Sequence, residues 1–273
     1  MKKSLLNVIL IARRNTTLNT LQALDSIVNQ SYSPIEILVV DANEPDSLYS
    51  LGLQEDLLAY PDIDCLKVDC CLSTAEIRNH ILEHIDGEYT AFLRSNDVWE
   101  PTKAFTHIEI MEEEPEMAAS CSDGLLIDKR KGKNSVANII KNSASYPSRW
   151  TLDNPAKMSA QVIYRTKIIR EIGGFDDRFI NFCDGDMLLR LSKSKEVSIL
   201  PVLLCKRTLT TKDEDYELHN FMDNQRIFYK YRDLFLLDKS MTINYYKNML
   251  YLAKLNYLWL SYIIYLFFYF VKA

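Results

Sequence analysis

The chain has 273 residues, of which 48% are apolar and 25% are charged, values typical of a globular protein. This composition excludes a disordered chain, a collagen and a small disulfide scaffold. The net charge of -5 argues against the broad basic surface of a nucleic-acid-binding protein, so no nucleic-acid partner is expected.

The C-terminal end differs in composition from the rest of the chain. Residues 240–273 hold three lysines and no acidic residue, which leaves a charge of -8 on the other 239 residues. The last 29 residues also hold 11 of the 30 aromatic residues. The C-terminal end therefore needs an explanation of its own.

The cysteines and histidines predict neither a disulfide framework nor a metal site. The six cysteines include no Cys-x-x-Cys pair, and the four histidines are dispersed along the chain. A reducing, cytoplasmic compartment is expected. The short apolar run at residues 5–12 meets Arg13 and Arg14 without a small-residue cleavage site, so it predicts a first strand and not a signal peptide.

Strands and helices alternate through the first hundred residues. Continuous apolar runs predict buried strands, and apolar residues at helical spacing predict helices. Ser73, with Glu76 three residues later, forms a capping box that predicts the start of a helix, and Gly87 predicts its end. The predicted strands cover residues 7–12, 35–40, 64–68 and 89–93, and the first predicted helix covers residues 18–28.

This alternation predicts a parallel sheet built from right-handed βαβ units. Ligands of such sheets bind beyond the carboxyl ends of the strands. We therefore expect the turns at residues 12–15, 41–43 and 94–97 to face one crevice.

The second half of the chain is less regular. A helix is predicted to begin at Pro101, and the polar, basic residues 129–149 predict a mobile surface loop, either a solvated loop or a lid that contacts the acceptor.

The C-terminal segment is predicted to be helical, and residues 216–237 predict one or two amphipathic helices. Residues 257–271 carry no charge over 15 residues, fewer than the ~20 that a membrane-spanning helix needs. This last segment either packs on the domain or on a second subunit, or attaches to a membrane surface through its aromatic residues and lysines.

Four segments, in order, resemble the family 2 glycosyltransferases with the GT-A fold. NVILIARRNTTLNTLQALDSIVNQSY resembles the family's first strand and helix, and IEILVVDAN resembles its second strand. STAEIRNHILEHIDGEYTAFLRSNDVWEP resembles the segment that leads into the family's Asp-x-Asp motif, and REIGGFDDRFINFCDGDMLLRL resembles its Gly-Gly-Phe-Asp and Glu-Asp region. Their order and spacing over residues 7–209 make the resemblance specific.

The resemblance implies an inverting transfer of a sugar from a nucleotide sugar, most naturally a UDP-sugar, to a hydroxyl of a glycan, a lipid-linked acceptor or a protein. It implies that Asp184 is the base that takes the proton from the acceptor. Asp184 could instead cap its helix, and Arg78 could be an ordinary arginine on a helix surface. The residues that the resemblance assigns to the nucleotide sugar are Asn15, Asp41, Arg78, Asn79, Arg94, Asn96 and Asp97.

The Asp-x-Asp motif, which holds a divalent cation in this family, is replaced by Arg94-Ser95-Asn96-Asp97. Asp97 is the one carboxylate left to bind a metal, if any metal binds. A manganese or magnesium cofactor is disfavoured because one carboxylate and one amide make a poor site and Arg94 repels the ion. Cys183, where the family has Glu, is interpreted as a small substitute and not as a reactive thiol.

Two explanations of this replacement remain open. In the first, Arg94, helped by Arg13, Arg14, Lys206 or Arg207, supplies the positive charge, and transfer is metal-independent. In the second, the protein is a catalytically inactive glycosyltransferase-like binding or partner subunit. A nucleotidyltransferase is disfavoured because no glycine-rich phosphate loop follows the first strand.

The expected fold class is α/β, a GT-A-like (Rossmann-like), mostly parallel sheet flanked by helices, with a C-terminal helical extension. The expected domains are a glycosyltransferase-like unit at residues 1–215 and a helical, aromatic-rich segment at residues 216–273. Within the first unit, residues 1–100 bind the nucleotide and residues 101–215 bind the acceptor. The C-terminal segment predicts either peripheral attachment to the inner face of the cell membrane or a homo-oligomer.

Overall fold

The computed structural model describes residues 3–13, 17–128, 133–137, 159–209, 216–237 and 239–272. Its strands are β1 (Leu6–Ala12), β2 (Ile35–Asp41), β3 (Asp64–Lys67), β4 (Tyr89–Arg94), β5 (Asp97–Trp99), β6 (Met117–Asp128), β7 (Lys133–Ala137), β8 (Val162–Arg165) and β9 (Glu196–Leu209). Its α-helices are α1 (Thr17–Val28), α2 (Leu48–Leu57), α3 (Thr74–Leu82), α4 (Lys103–Glu113), α5 (Thr166–Glu171), α6 (Cys183–Leu191), α7 (Tyr216–Lys230), α8 (Arg232–Leu237), α9 (Lys239–Leu255) and α10 (Trp259–Lys272).

The described strands form one sheet in the order β3-β2-β1-β4-β8-β6-β9-β5, with β7 paired to β6. Strands β3, β2, β1 and β4 run parallel, as does the pair β6 and β9, whereas β8 is antiparallel to both of its neighbours. The predicted mostly parallel sheet is confirmed, with antiparallel strands concentrated in the second half of the chain.

Strand β1 is buried on both faces of the sheet. Leu6, Val8 and Leu10 pack in one apolar cluster, while Ile9 and Ile11 pack in a second. Because successive side chains of a strand point to opposite faces, helices must cover both faces. This double burial is the reason that the strand reads as a continuous apolar run.

The predicted start of helix α3 is confirmed in detail. Ser73 Oγ accepts a hydrogen bond from the Glu76 backbone N–H at 3.2 Å, and Glu76 Oε2 accepts one from the Ser73 backbone N–H at 2.7 Å. The box satisfies two backbone N–H groups that a helix start leaves unpaired. It therefore determines where the helix that carries Arg78 begins.

The prediction of a loop over residues 129–149 is wrong for residues 133–137. These residues form β7, which pairs antiparallel with residues 124–128 of β6. Strand β8 pairs with β6 only at residues 119–121, so β7 supplies backbone partners to the continuation of β6. The remainder of the predicted loop, residues 129–132 and 138–149, lies outside the described residues.

The predicted C-terminal helices are confirmed as α7 to α10. Their buried side chains, among them Phe221, Ile227, Phe235 and Tyr245, belong to the same apolar cluster as Ile9 and α6. These helices therefore share a core with the sheet, and the domain boundary at residues 215/216 stays a prediction. Within the described part of the chain, every helix is too short or too polar to cross a membrane.

Candidate active site

The carboxyl ends of β2, β1 and β4 lie side by side. Ala12 pairs with Asp41, and Ile11 pairs with Arg94, so the ends of these three strands form one edge. The backbone N–H of Ala42 also donates to the carbonyl of Ala12 at 3.0 Å. The shared edge is thus confirmed for the described residues, while the crevice that it was expected to face stays a prediction. Arg14 and Asn15 lie outside the described residues, and the role of Asn15 also stays a prediction.

Asp41 is buried at this edge and accepts four hydrogen bonds. Its Oδ1 accepts from the backbone N–H and the side-chain amide of Asn43 at 3.0 and 2.8 Å. Its Oδ2 accepts from Ser50 Oγ at 2.6 Å and from Lys67 Nζ at 2.9 Å. Burial raises the pKa of Asp41, but Lys67, Ser50 and Asn43 outweigh it and hold the pKa below its usual value.

Through these contacts Asp41 holds the turn after β2 in place. Its contact with a nucleotide stays a prediction. Sequence reasoning missed Lys67 and Ser50. Lys67 could have been found from its place at the end of the strand β3, because Lys67 lies directly opposite Asp41 in the register of β2 and β3.

Arg78 is buried inside the protein, so its interpretation as a helix-surface arginine is wrong. Its side chain is 1% exposed, and its guanidinium carbon lies 4.7 Å from the ring centroid of Phe92 and 4.9 Å from that of Phe175. Its Nη1 donates to Asp184 Oδ1 at 2.9 Å, and its Nη2 donates to Ser159 Oγ at 2.5 Å. Its Nε is buried without a hydrogen-bond partner among the described residues.

Asp184 lies in the first turn of α6 and is 3% exposed. Its Oδ1 accepts from Arg78 and from Tyr164 Oη at 3.0 Å, and its Oδ2 accepts from Ser159 Oγ at 2.9 Å. The N-cap position belongs to Phe182, so the interpretation of Asp184 as the cap is wrong. Burial raises the pKa of Asp184, but Arg78 and the two hydroxyl groups outweigh it and hold the pKa below its usual value.

Asn79 joins α3 to the loop that precedes α6. Its Nδ2 donates to the carbonyl of Phe175 at 2.8 Å, and its Oδ1 accepts from the Phe175 backbone N–H at 2.7 Å. Gly174 has a φ of 69°, and a Cβ there would lie 2.5 Å from Asn79 Oδ1. Glycine is required for both reasons, and a contact of Asn79 with the nucleotide sugar stays a prediction.

Cys183 packs against the same guanidinium. Its Sγ accepts from Arg78 Nη1 at 3.2 Å, and burial raises the pKa of the thiol to about 11. A thiol with that pKa is protonated at neutral pH and is a weak nucleophile. Its interpretation as a small substitute for Glu agrees with this geometry.

The altered Asp-x-Asp segment is held by an ion pair between the neighbouring strands β5 and β9, in which Asp97 lies opposite Arg207. Asp97, which is fully buried, accepts from Arg207 Nε at 2.5 Å and from Arg207 Nη2 at 2.8 Å. The backbone N–H of Arg94 also donates to Asp97 at 3.1 Å. Asn96 Nδ2 donates to the carbonyl of Thr208 at 3.3 Å, while Asn96 Oδ1 is buried without a partner among the described residues.

The Arg94 side chain is half-buried and lies within electrostatic range of Arg207, Asp97 and Arg78. Burial and the charges of Arg207 and Arg78 outweigh the opposite effect of Asp97, so the pKa of Arg94 lies below its usual value. A guanidinium remains charged in proteins even when its pKa is lowered. Arg207 is the ion-pair partner of Asp97, and Arg94 forms no ion pair with any residue that the structure describes.

This donor set does not fit a divalent cation. Both oxygens of Asp97 face the Arg207 guanidinium, and the charges of Arg94 and Arg207 oppose a metal ion.

Two surface groups elsewhere bring potential metal ligands together. The prediction that the histidines are too dispersed to form a metal cluster is wrong for one pair, because His80, His84 and Glu83 place three potential ligand atoms within 4.8 Å on the exposed face at the end of α3. Asp69, Cys70 and Cys71 form a second such group, which is exposed or half-buried.

Comparison with known proteins identifies the family. Residues 8–173, more than half of the chain, match the model of glycosyl transferase family 2. The chain belongs to this family. A relative, the UDP-Glc:alpha-D-GlcNAc-diphosphoundecaprenol beta-1,3-glucosyltransferase WfaP of Escherichia coli, is 32% identical over 106 residues. The match covers 39% of this chain and 41% of the relative, so this family 2 glycosyltransferase is aligned with less than half of that protein.

Solved structures with the GT-A fold resemble this family 2 glycosyltransferase. S. aureus TarS 1–349 in complex with UDP-GlcNAc superposes with a TM-score of 0.61 at 12% identity, over 91% of this chain and 80% of that one. The mannosyltransferase PcManGT from Pyrobaculum calidifontis, in complex with GDP-Man and Mn²⁺, superposes with a TM-score of 0.52 at 13% identity, over 88% and 63%. At these identities the likeness establishes the fold, and the predicted GT-A-like class is confirmed.

Proposed function

We propose that this family 2 glycosyltransferase transfers a sugar, with inversion, from a UDP-sugar to a hydroxyl of a lipid-linked glycan. The observation that carries the proposal is the buried cluster in which Arg78, Ser159 and Tyr164 hold the carboxylate of Asp184. A charged cluster of this kind is costly to bury and is typical of a functional site. The names of the E. coli relative and of the TarS complexes support a UDP-sugar donor, and the relative's name supports a lipid-linked acceptor.

In this mechanism Asp184 accepts the proton of the attacking hydroxyl, because an alcohol is a poor nucleophile until a base takes that proton. Arg78 positions the carboxylate and keeps it ionised. The donor side of the crevice is formed by Asp41, Asn79, Asn96 and Asp97. We expect Asn15, which lies outside the described residues, to contribute to the same side.

Arg94 stabilises the leaving diphosphate in place of a cation. Its charge is left for an anion because Arg207 forms two hydrogen bonds with Asp97. A fixed positive charge at the point where negative charge develops lowers the barrier without a metal. Arg207 therefore acts by neutralising Asp97 and not by contacting the diphosphate.

Replacing Arg94 with Ala is expected to lower kcat for UDP-sugar turnover roughly 10²- to 10³-fold, the effect of removing one stabilising donor in comparable sites. EDTA is expected to leave the wild-type rate unchanged. The measurement is UDP release from a panel of nucleotide sugars, with and without Mn²⁺.

Arg232→Ala, an exposed arginine on α8, is the matched control and should keep the wild-type rate. Strong activation of the wild-type protein by Mn²⁺, or an Arg94→Ala variant as fast as the control, contradicts the metal-independent mechanism.

A specific observation favours a second candidate, a glycosyltransferase-like binding subunit without activity. Asp184 is committed to Arg78, and its lowered pKa makes it a weak proton acceptor at neutral pH. In that case nucleotide sugars raise the melting temperature, no donor turns over, and Asp184→Asn leaves the cellular role intact.

The location proposed for the protein is the inner face of a membrane, reached through α10. The inner side of α10 packs on α7 and α9, with Tyr265 Oη accepting from Gln225 at 2.9 Å and Phe268 stacked on Tyr246. Its outer side exposes apolar residues at helical spacing, namely Leu260, Ile263, Phe267, Phe270 and Val271, each more than 60% exposed. Lys247 and Lys254 on α9 add positive charge, and residues 240–273 contain no acidic residue, a composition that suits anionic lipid.

The six free cysteines favour a reducing compartment.

The double substitution Ile263→Asn and Phe267→Asn is expected to abolish binding to vesicles of phosphatidylglycerol and phosphatidylcholine, because it removes apolar area that would enter the interface. The measurement is the fraction of protein that floats with the vesicles. Leu58→Asn removes an apolar side chain after α2 that is even more exposed, and it should not change the floating fraction. Equal flotation of all three proteins contradicts attachment through α10, and a dimer that the double substitution dissociates indicates a second subunit as the partner.

A further inference from the structure

Helix α7 holds the backbone segment that leads into the helix of Asp184. Asp223 of α7 is 1% exposed, and its Oδ2 accepts hydrogen bonds from the backbone N–H groups of Ile180, Asn181 and Phe182 at 3.0, 2.7 and 3.1 Å. Its Oδ1 accepts from Arg226 Nη1 at 3.1 Å. One carboxylate thus ties the three residues before α6 to a C-terminal helix, through hydrogen bonds strengthened by its charge.

A second contact joins the same two helices two turns later. Tyr231 Oη and Lys230 Nζ lie 2.8 and 2.5 Å from Oδ1 of Asp186, which is fully buried. Asp186 Oδ2 accepts from Arg190 Nε at 2.8 Å. Residues seven positions apart lie on one face of a helix, so Asp223 and Lys230 act from the same side of α7, and Tyr231 directly follows that helix.

The start of α6 depends on this support because it has little of its own. Phe182 at the N-cap makes no side-chain capping hydrogen bond. Its ring lies over Gly185, where a Cβ would come within 2.5 Å of the ring. The position of Asp184 is therefore determined by contacts that come from distant parts of the chain.

We propose that Asp223 is a positioning residue for glycosyl transfer: by holding the backbone N–H groups of residues 180–182, it fixes the carboxylate of Asp184 where the acceptor hydroxyl must lose its proton. The inference rests on the proposed function, and it makes the C-terminal helices part of the catalytic arrangement in addition to any membrane contact. Displacement of a catalytic group by about 1 Å is enough to lower a rate by about 10²-fold.

The test compares Asp223→Asn and Asp223→Ala with Asp233→Asn, an exposed acid on α8. Rates are measured well below each melting temperature, alongside UDP binding and amide hydrogen exchange of the peptide that contains residues 180–182. We expect Asp223→Ala to lower kcat roughly 10- to 100-fold with the donor KM and UDP affinity unchanged. Exchange at residues 180–182 should quicken about tenfold or more, Asp223→Asn should lie between, and Asp233→Asn should match the wild type.

A purely structural role has a different signature. It lowers the melting temperature of Asp223→Ala but leaves kcat at the wild-type value below that temperature, and this result overturns the inference, as does unchanged exchange at residues 180–182. Absence of turnover in the wild-type protein contradicts the proposed function itself. The exchange measurement then decides separately whether Asp223 holds the segment.

Discussion

Asp184→Asn is expected to lower kcat for sugar transfer by about 10²- to 10⁴-fold, the contribution of a positioned general base. The amide keeps the shape of the carboxylate but cannot accept the proton, so UDP affinity should change little. The measurement is the initial rate of transfer, together with UDP binding by calorimetry. Because the pKa of Asp184 lies below its usual value, the wild-type carboxylate is ionised at neutral pH, and kcat should not change between about pH 6 and about pH 8 through this group.

Asp177→Asn is the matched control because Asp177 is an exposed acid on the loop before α6. It should keep the wild-type rate. Asp184→Asn also leaves Arg78 without its counter-charge, so its rate must be measured below its own melting temperature. A folded, UDP-binding Asp184→Asn protein with the wild-type rate excludes Asp184 as the base.

Arg78→Met is expected to lower the free energy of unfolding by about 3–5 kcal/mol, since it leaves the buried Asp184 carboxylate without its ion-pair partner. It also removes the contacts of the guanidinium with the rings of Phe92 and Phe175. For a domain of this size the loss corresponds to a decrease in Tm of roughly 6–20 °C, measured by calorimetry.

The sign of the pH dependence follows from the lowered pKa of Asp184. The stability that its pairing with Arg78 contributes is fully present above the unfolded pKa of about 3.9 and is lost as pH falls through the lower folded pKa. The difference between the wild-type protein and Arg78→Met should therefore shrink in acid.

Two variants test this interpretation of Arg78. Adding Asp184→Asn to Arg78→Met removes the unpaired charge and should recover part of the lost stability. Lys167→Met, an exposed side chain on α5, should change the Tm little. If the double variant is no more stable than Arg78→Met, the ion pair is not the source of the loss.

Local pattern was sufficient for the first hundred residues of the fold. The apolar run of β1 and the capping box at Ser73 are encoded by residues close together in the chain, and both are found as predicted. The shared edge of β2, β1 and β4 also followed from alternating strands and helices, because right-handed crossovers leave few other arrangements. Strand β7 was missed because its partner, β6, and not its own residues, makes it a strand.

The candidate site was only partly accessible to sequence reasoning. Asp184, Arg78 and Asp97 were identified through resemblance, but none of their partners follows from spacing. Arg207 meets Asp97 across 110 residues of chain, and Ser159 meets Arg78 across 81. No periodicity connects residues that far apart, so the pairing of Asp97 with Arg207 could not be predicted.

The sequence by itself determined the family, the parallel α/β core and the identity of the altered metal motif, because these depend on local pattern and on motifs in order. The tertiary structure alone decided the charge balance of the site: Asp184 paired with Arg78, Asp97 neutralised by Arg207, and Asp223 of a C-terminal helix bound to the backbone before α6. The physical reason is that a buried charge is stable only beside its partner. That partner is chosen by the packing of distant segments and not by neighbours in the sequence.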